Sequence, residues 1–196
     1  MCFPTLPFPA TEWATIPIRA PFVRPGKLST DESTSFQVVN HCLNWLRDNE
    51  HYEADWVILL EPTSPTRQSF HIDEVANIIY ERSSELDSIC GVSKAYGCSS
   101  AFKALKANEE QILESYHEGT SFSEIVIRNQ LVPPSMYINS VIYAFNVVNT
   151  IYDTKPSMWG NKTYGYEVES KYVSDIDTTE DWLIAEAKMK HILDGN

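Results

Sequence analysis

Glycine is scarce in this 196-residue chain: there are seven, and they do not cluster into a turn of the kind that wraps phosphate. No apolar run approaches the ~20 residues that a membrane-crossing helix needs. The opening MCFPTLPFPATEW breaks any apolar core with prolines and carries no basic flank, so it does not read as a signal peptide. The expectation is a soluble, cytoplasmic protein with no membrane partner. Four cysteines (Cys2, Cys42, Cys90, Cys98) show neither a CxxC pair nor zinc spacing, and free thiols in a reducing compartment are expected. Positive charge is also short, with 15 Lys and Arg against 27 Asp and Glu and a net charge of −12. No basic run or stripe exists, which excludes a nucleic-acid partner held by many phosphate contacts. An anionic ligand would need a few placed cations, backbone donors or a metal ion.

What is present suffices for one globular domain over residues 1–196. The hydrophobic fraction is 43% and aromatics reach 12%, well outside the disordered range. Residues 1–20 make an irregular start, with prolines at 4, 7, 9 and 17 and no opening strand. From Asp31 the pattern becomes regular. Val39, Cys42, Leu43 and Leu46 share one helical face, with Ser33 or Thr34 available as N-cap. Trp56 to Leu60 reads as a strand apolar on both faces, the mark of a buried and commonly parallel strand. The loop EPTSPTR (61–67) follows, with Ser69 as a candidate cap for a helix that turns Ile72, Val75, Ile78 and Ile79 inward. Ser88 to Val92 is a second strand, and the β-loop-α-β order fits a right-handed parallel crossover. The stretch AFKALKANEEQILESYHE suits either a helix or a hairpin turning near Asn108. Met136–Phe145 is a strand rich in β-branched and aromatic residues, and TYGYEVE a weaker one. The last helix would place Trp182, Ala185, Met189 and Ile192 on one face. Thr178 is its N-cap, and Asp181 completes a variant capping box.

Four local patterns bear on chemistry. They are Arg24-Pro-Gly-Lys-Leu-Ser-Thr-Asp31; Ile-Leu-Leu-Glu61-Pro-Thr-Ser-Pro-Thr-Arg67; Arg128-Asn-Gln130-Leu-Val-Pro-Pro134, running on to Tyr137-Ile-Asn139-Ser140-Val-Ile-Tyr143; and Asp175-Ile-Asp177-Thr-Thr-Glu-Asp181. Carboxylates at i and i+2 of an extended segment point the same way and can share a cation. Magnesium suits such a pair, because it takes one or two carboxylates and leaves its other positions to water and phosphate oxygens. The same Asp-x-Asp ahead of a capped helix also suits the positive helix end. The loop at 61–67 follows a strand, where open α/β sheets bind ligands.

In order, spacing and wording these four patterns resemble the acylneuraminate cytidylyltransferases, which join CTP to a sialic-type (nonulosonic) acid and release pyrophosphate. The resemblance runs from about Pro21 to the final helix. It implies a three-layer, Rossmann-like α/β fold of the nucleotide-diphospho-sugar transferase type, here without its first βα units. It implies Mg2+ at Asp175 and Asp177, the catalytic acids. Arg24, Ser33 and Ser35 would approach the cytosine ring, although the two serines suit N-capping as well. Glu61, Arg128, Gln130, Asn139, Met158 and Trp159 would meet the sugar, with Arg128 gripping its carboxylate and Met158 and Trp159 packing on its N-acyl group. Residues 93–134 would project as a dimerisation arm, making a homodimer.

Three positions depart from the family wording. Glu61 stands where the family usually has a sugar-binding Gln, and a carboxylate there repels a sugar carboxylate unless something counters its charge. Asn129 occupies an expected Arg position, with Arg128 just before it. Ser140 replaces a Gly. The family's opening strand and basic, glycine-containing triphosphate loop have no counterpart in this sequence, which has no basic residue before Arg19. Inactivity of the isolated chain is therefore expected. Two other readings follow from these departures: a non-catalytic remnant that binds or dimerises, or a cytidylyltransferase for another nonulosonic acid. No histidine is assigned to catalysis.

Overall fold

Thr34 decides where the first helix starts. The computed structural model describes residues 20–125, 128–133 and 135–195. In it the Thr34 hydroxyl accepts from the Gln37 N–H (3.2 Å), and the Gln37 side chain accepts from the Thr34 N–H (3.0 Å). This reciprocal box satisfies two donors that a helix start leaves open. Helix α1 (Ser35–Glu50) then turns Val39, Leu43 and Leu46 inward and ends at His51, whose φ of 53° breaks the helical run.

Strand β1 (Trp56–Leu59) alternates its side chains between two apolar clusters. Val57 joins Val39 and Leu43 of α1, while Trp56 and Ile58 join Val75 of helix α2 (Ser69–Arg82). The two helices thus cover opposite faces of the sheet, and the fold is a three-layer α/β arrangement. Beyond α2 come β2 (Ser88–Ala95), β3 (Leu105–Ala107), β4 (Leu113–Ser115) and the short α3 (Phe122–Ile125). Strands β5 (Ser135–Asn146) and β6 (Thr163–Glu167) and helix α4 (Thr179–Leu193) complete the chain.

The main sheet has the order β1-β5-β2-β6. β5 is antiparallel to β1 and β2, and β6 is parallel to β2. The crossover through α2 therefore joins two strands of like direction that are not neighbours. β5 lies between them, and the described partner of β1 is antiparallel rather than parallel. The periodicity of β1 reports burial on both faces, and burial does not specify the direction of a neighbour.

Three local expectations are also corrected or resolved. Gln68, not Ser69, caps α2, because the His71 ring nitrogen Nδ1 reaches back to accept from the Gln68 N–H at 2.9 Å. The region near Asn108 is a hairpin. β3 and β4 pair antiparallel, and the Asn108 side-chain oxygen accepts from the N–H groups of Glu110 and Ile112. α4 has the expected Thr178–Asp181 box and buries Ala185, but Trp182 is 60% exposed, beside exposed Leu183 and Ile184. No described helix is long and apolar enough to cross a membrane. The irregular start at 1–20 lies almost wholly outside the described residues.

Candidate functional site

The loop after β1 organises the site. Arg67, half-buried, donates through Nε to the Val141 carbonyl of β5 (2.8 Å) and through Nη2 to the carbonyls of Glu61 and Ser64. Burial pulls its guanidinium below its ordinary value, against the opposing pull of Glu61. The Ser64 hydroxyl, 2% exposed, contacts both the Ser140 carbonyl (2.9 Å) and the Ser140 hydroxyl (2.7 Å). The side chain that Ser140 adds in place of Gly is thus taken up inside the protein rather than at a ligand surface.

The same loop is stitched to the Asp-x-Asp segment. The Ile176 N–H donates to the Thr63 carbonyl (3.1 Å), and the Thr66 hydroxyl reaches the Tyr172 carbonyl (2.8 Å) and Ser174 Oγ (3.0 Å). Lys188 of α4 donates to the carbonyls of Ser170 and Val173, fixing the turn that leads into Asp175. With Ile176 tied inward, Asp175 and Asp177 flank it, and both are exposed. The Asp181 carboxylate accepts from the backbone N–H groups of Asp177 and Thr178 and from the Thr178 hydroxyl. These bonds lower its pKa from the ordinary carboxylate value. Helix capping therefore falls to Asp181, and the side chains of Asp175 and Asp177 are not what caps α4.

Glu61 meets the first turn of α1. Its carboxylate accepts from the Ser35 hydroxyl at 3.1 Å. A helix N-terminus favours a negative charge, so the carboxylate at this position has both a donor and a favourable dipole. Across from it, Tyr143 of β5 is half-buried and pairs with Leu59 of β1 and Cys90 of β2. Burial, with the carboxylates of Asp175 and Glu61 close by, pushes the Tyr143 hydroxyl up. The Trp159 ring stands edge-on to the Tyr143 ring with centroids 5.6 Å apart, and Trp159 is 39% exposed. Met158 packs into the α1 side of the core.

Ser35, Glu61, Tyr143, Trp159 and Asp175 thus form one neighbourhood beyond the carboxyl end of β1. The other expected residues fall elsewhere or play local parts. Asn139 is 5% exposed, and its amide donates to Ser93 Oγ (2.9 Å) while its oxygen accepts from the Val141 N–H (3.2 Å). It fills the irregularity between Cys90 and Val92, where a Cβ on Gly91 would come within 2.4 Å of its oxygen. Ser33 closes the turn before α1, with its hydroxyl 3.0 Å from that of Thr30. Arg24, Arg128 and Gln130 are exposed, the last two on a described turn that ends before β5. Sequence reasoning gave no role to Tyr143 or Arg67. A tyrosine amid the apolar residues of β5 and the one cation in a proline-bearing loop were the signals.

N-acylneuraminate cytidylyltransferase of Streptococcus agalactiae serotype V is 28% identical over 161 residues, 82% of this chain. The chain is similar in sequence to the N-acylneuraminate cytidylyltransferases. The serotype III cytidylyltransferase is 27% identical over the same share, and that of Escherichia coli O18:K1:H7 is 28% identical over 51% of this chain. The chain spans about a third of the length of these Streptococcus cytidylyltransferases, 35%. No protein-family profile matches it. Among solved structures, a 4-diphosphocytidyl-2C-methyl-D-erythritol synthase from Anaerococcus prevotii aligns with 80% of this chain and 67% of its own. The TM-score is 0.48 and the identity 11%.

Proposed function

We propose that this chain carries the sugar-recognising and metal-holding side of a cytidylyltransferase that moves CMP from CTP to a sialic-type nonulosonic acid and releases pyrophosphate. The observation that carries this reading is the convergence of Ser35, Glu61, Tyr143, Trp159 and Asp175 on one neighbourhood, in a chain similar to N-acylneuraminate cytidylyltransferases.

In the reaction, the anomeric hydroxyl oxygen attacks the α-phosphorus of CTP. The bond to the bridging oxygen breaks, pyrophosphate leaves and the hydroxyl proton is lost. Asp175 and Asp177 fit magnesium: the pair offers hard oxygen donors, both exposed. No group of three or more His, Cys, Asp or Glu forms a metal cage among the described residues. Two protein carboxylates leave room for phosphate oxygens, as this ion prefers. Bound there, it supplies charge neutralisation at the α-phosphate and acidifies the attacking hydroxyl.

The chain's other residues orient the sugar. Trp159 and Tyr143 offer an apolar corner for an N-acyl group, and Arg128 a cation for the carboxylate. Glu61, held by the Ser35 hydroxyl, stands beside the sugar and opposes the sugar's own carboxylate with its charge. The cytidine would be met by Arg24, Ser33 and Ser35, a role that the sequence similarity alone supports. The exposed apolar residues Leu105, Ile112, Leu113, Tyr116, Phe122 and Leu131 support the 93–134 region as a homodimer arm. Isothermal titration with N-acetylneuraminate tests the sugar side directly. Binding that Trp159→Ala weakens about tenfold supports the reading, and heat-silent titration of a folded protein contradicts it.

A further inference from the structure

Behind the residues that face the site, one carboxylate bonds to both ends of the loop that carries Trp159. The connection from β5 to β6, residues 147–162, bears Met158 and Trp159. Asp87, the residue before β2, ties its two ends together. Oδ2 of Asp87 accepts from the backbone N–H groups of Asn161 (2.9 Å) and Lys162 (3.0 Å), and Oδ1 accepts from the side-chain amide of Asn149 (2.9 Å). The backbone of Asp87 adds two more ties, from its N–H to the Lys162 carbonyl (3.0 Å) and from the Asn146 N–H to its own carbonyl (2.8 Å). Gly160 permits the approach, since a Cβ there would lie 2.2 Å from the Asp87 Cβ. Inside the loop, the Ser157 N–H reaches the Thr150 carbonyl (3.3 Å), and the Ser157 hydroxyl accepts from the Trp159 N–H (2.7 Å). Trp159 is therefore fixed from both sides, two residues before Asn161 on one flank and two after Ser157 on the other.

We propose that Asp87 is a positioning residue: it clamps loop 147–162 so that Trp159 stands against Tyr143, and thereby sets the apolar wall of the sugar site. The proposal rests on the sugar-binding reading of that site. A carboxylate that accepts three hydrogen bonds at ~2.9–3.0 Å is a strong anchor. Without it the loop regains conformational freedom that ligand binding must then remove.

Two variants separate the clamp from general stability. Asp87→Ala removes all three side-chain bonds. Asp87→Asn can keep them, because its amide oxygen accepts both backbone N–H groups and its NH2 donates to the Asn149 amide once that amide turns over. Trp159 emission is read as the difference between each protein and its Trp159→Phe counterpart, and affinity is read with N-acetylneuraminate. Asp87→Ala is expected to shift Trp159 emission and weaken affinity about tenfold, roughly the worth of one lost clamp. Asp87→Asn should restore both. Unchanged Trp159 emission in Asp87→Ala, or equal impairment in the two variants, overturns the proposal. If Asp87→Ala does not fold, Asn149→Ala removes one bond of the three and should give a smaller shift of the same kind. Failure of the wild-type chain to bind N-acetylneuraminate defeats the reading of the site, while the emission comparison, which needs no ligand, still tests the clamp.

Discussion

The Ser35 hydroxyl donates to the Glu61 carboxylate at 3.1 Å, joining the first turn of α1 to the loop beyond β1. A glutamine at position 61 could accept the same bond without the charge. Glu61→Gln is therefore expected to leave the fold intact and to tighten N-acetylneuraminate binding about tenfold, by removing a carboxylate from the neighbourhood of the sugar's own. Titration calorimetry on both proteins checks this. Weaker binding by the variant would assign Glu61 to a sugar with a donor, such as a free amine, at that place.

The Asp pair gives a second expectation. Only the backbone of Asp177 takes part in the α4 cap, so Asp177→Asn should keep the helix while removing a proposed magnesium ligand. Magnesium should raise the melting temperature of the wild-type chain more than that of the variant, because a ligand that prefers the native state stabilises it. An equal rise in both would assign the cation effect to the surface at large.

His71 supplies a pH dependence. It is 1% exposed, its Nδ1 accepts a backbone N–H, and Phe70, Tyr166 and Tyr172 surround its ring. Burial pushes its pKa down against the pull of Glu74, and the bond that Nδ1 accepts from the Gln68 N–H also favours the neutral ring. A base depressed in the folded state binds fewer protons there than when unfolded. Stability is thus fully present above the unfolded value of about 6.5 and is lost as pH falls from there toward the depressed folded value. Melting temperature should drop as pH falls below about 6.5, and a folded His71→Asn variant should show a flatter profile there.

The elements themselves were largely legible from apolar spacing: α1, β1, β2, β5 and the capping box of α4 all follow local patterns. Their arrangement was not. β5 enters between β1 and β2 because of long-range pairing that no local stretch encodes, and the direction of β1's neighbour was misread for that reason. At the site, Ser35 and Glu61 are 26 residues apart and could be nominated separately but not joined. Asn139 carries a polar side chain that suits ligand binding or a strand irregularity equally well, and only the closeness of Gly91 shows that it serves the latter. Trp182 fits an apolar helical stripe, yet the helix turns it outward.

The proposed homodimer arm is tested through the exposed apolar residues around β3, β4 and the start of β5. Light scattering at micromolar concentration should report about twice the chain mass of 22.3 kDa. Ile138→Asp, at a residue that is exposed on the strand, should return the monomer with an unchanged melt. A wild-type monomer would remove the arm from the account.

The central claim is that this chain supplies the sugar and metal side of CMP transfer, and pyrophosphate release measures it most directly. The chain is acidic, with a net charge of −12, and its sequence has no basic, glycine-rich loop for a triphosphate. With CTP, magnesium and N-acetylneuraminate, the chain alone should give no release above background. Adding the N-terminal βα segment of a curated cytidylyltransferase, fused or as a separate peptide, should produce release that Asp175→Asn abolishes. Release by the chain alone would show that it holds triphosphate through other residues. No release from the chain with the added segment, with N-acetylneuraminate binding intact, would contradict the transfer reaction and leave a sugar-binding protein.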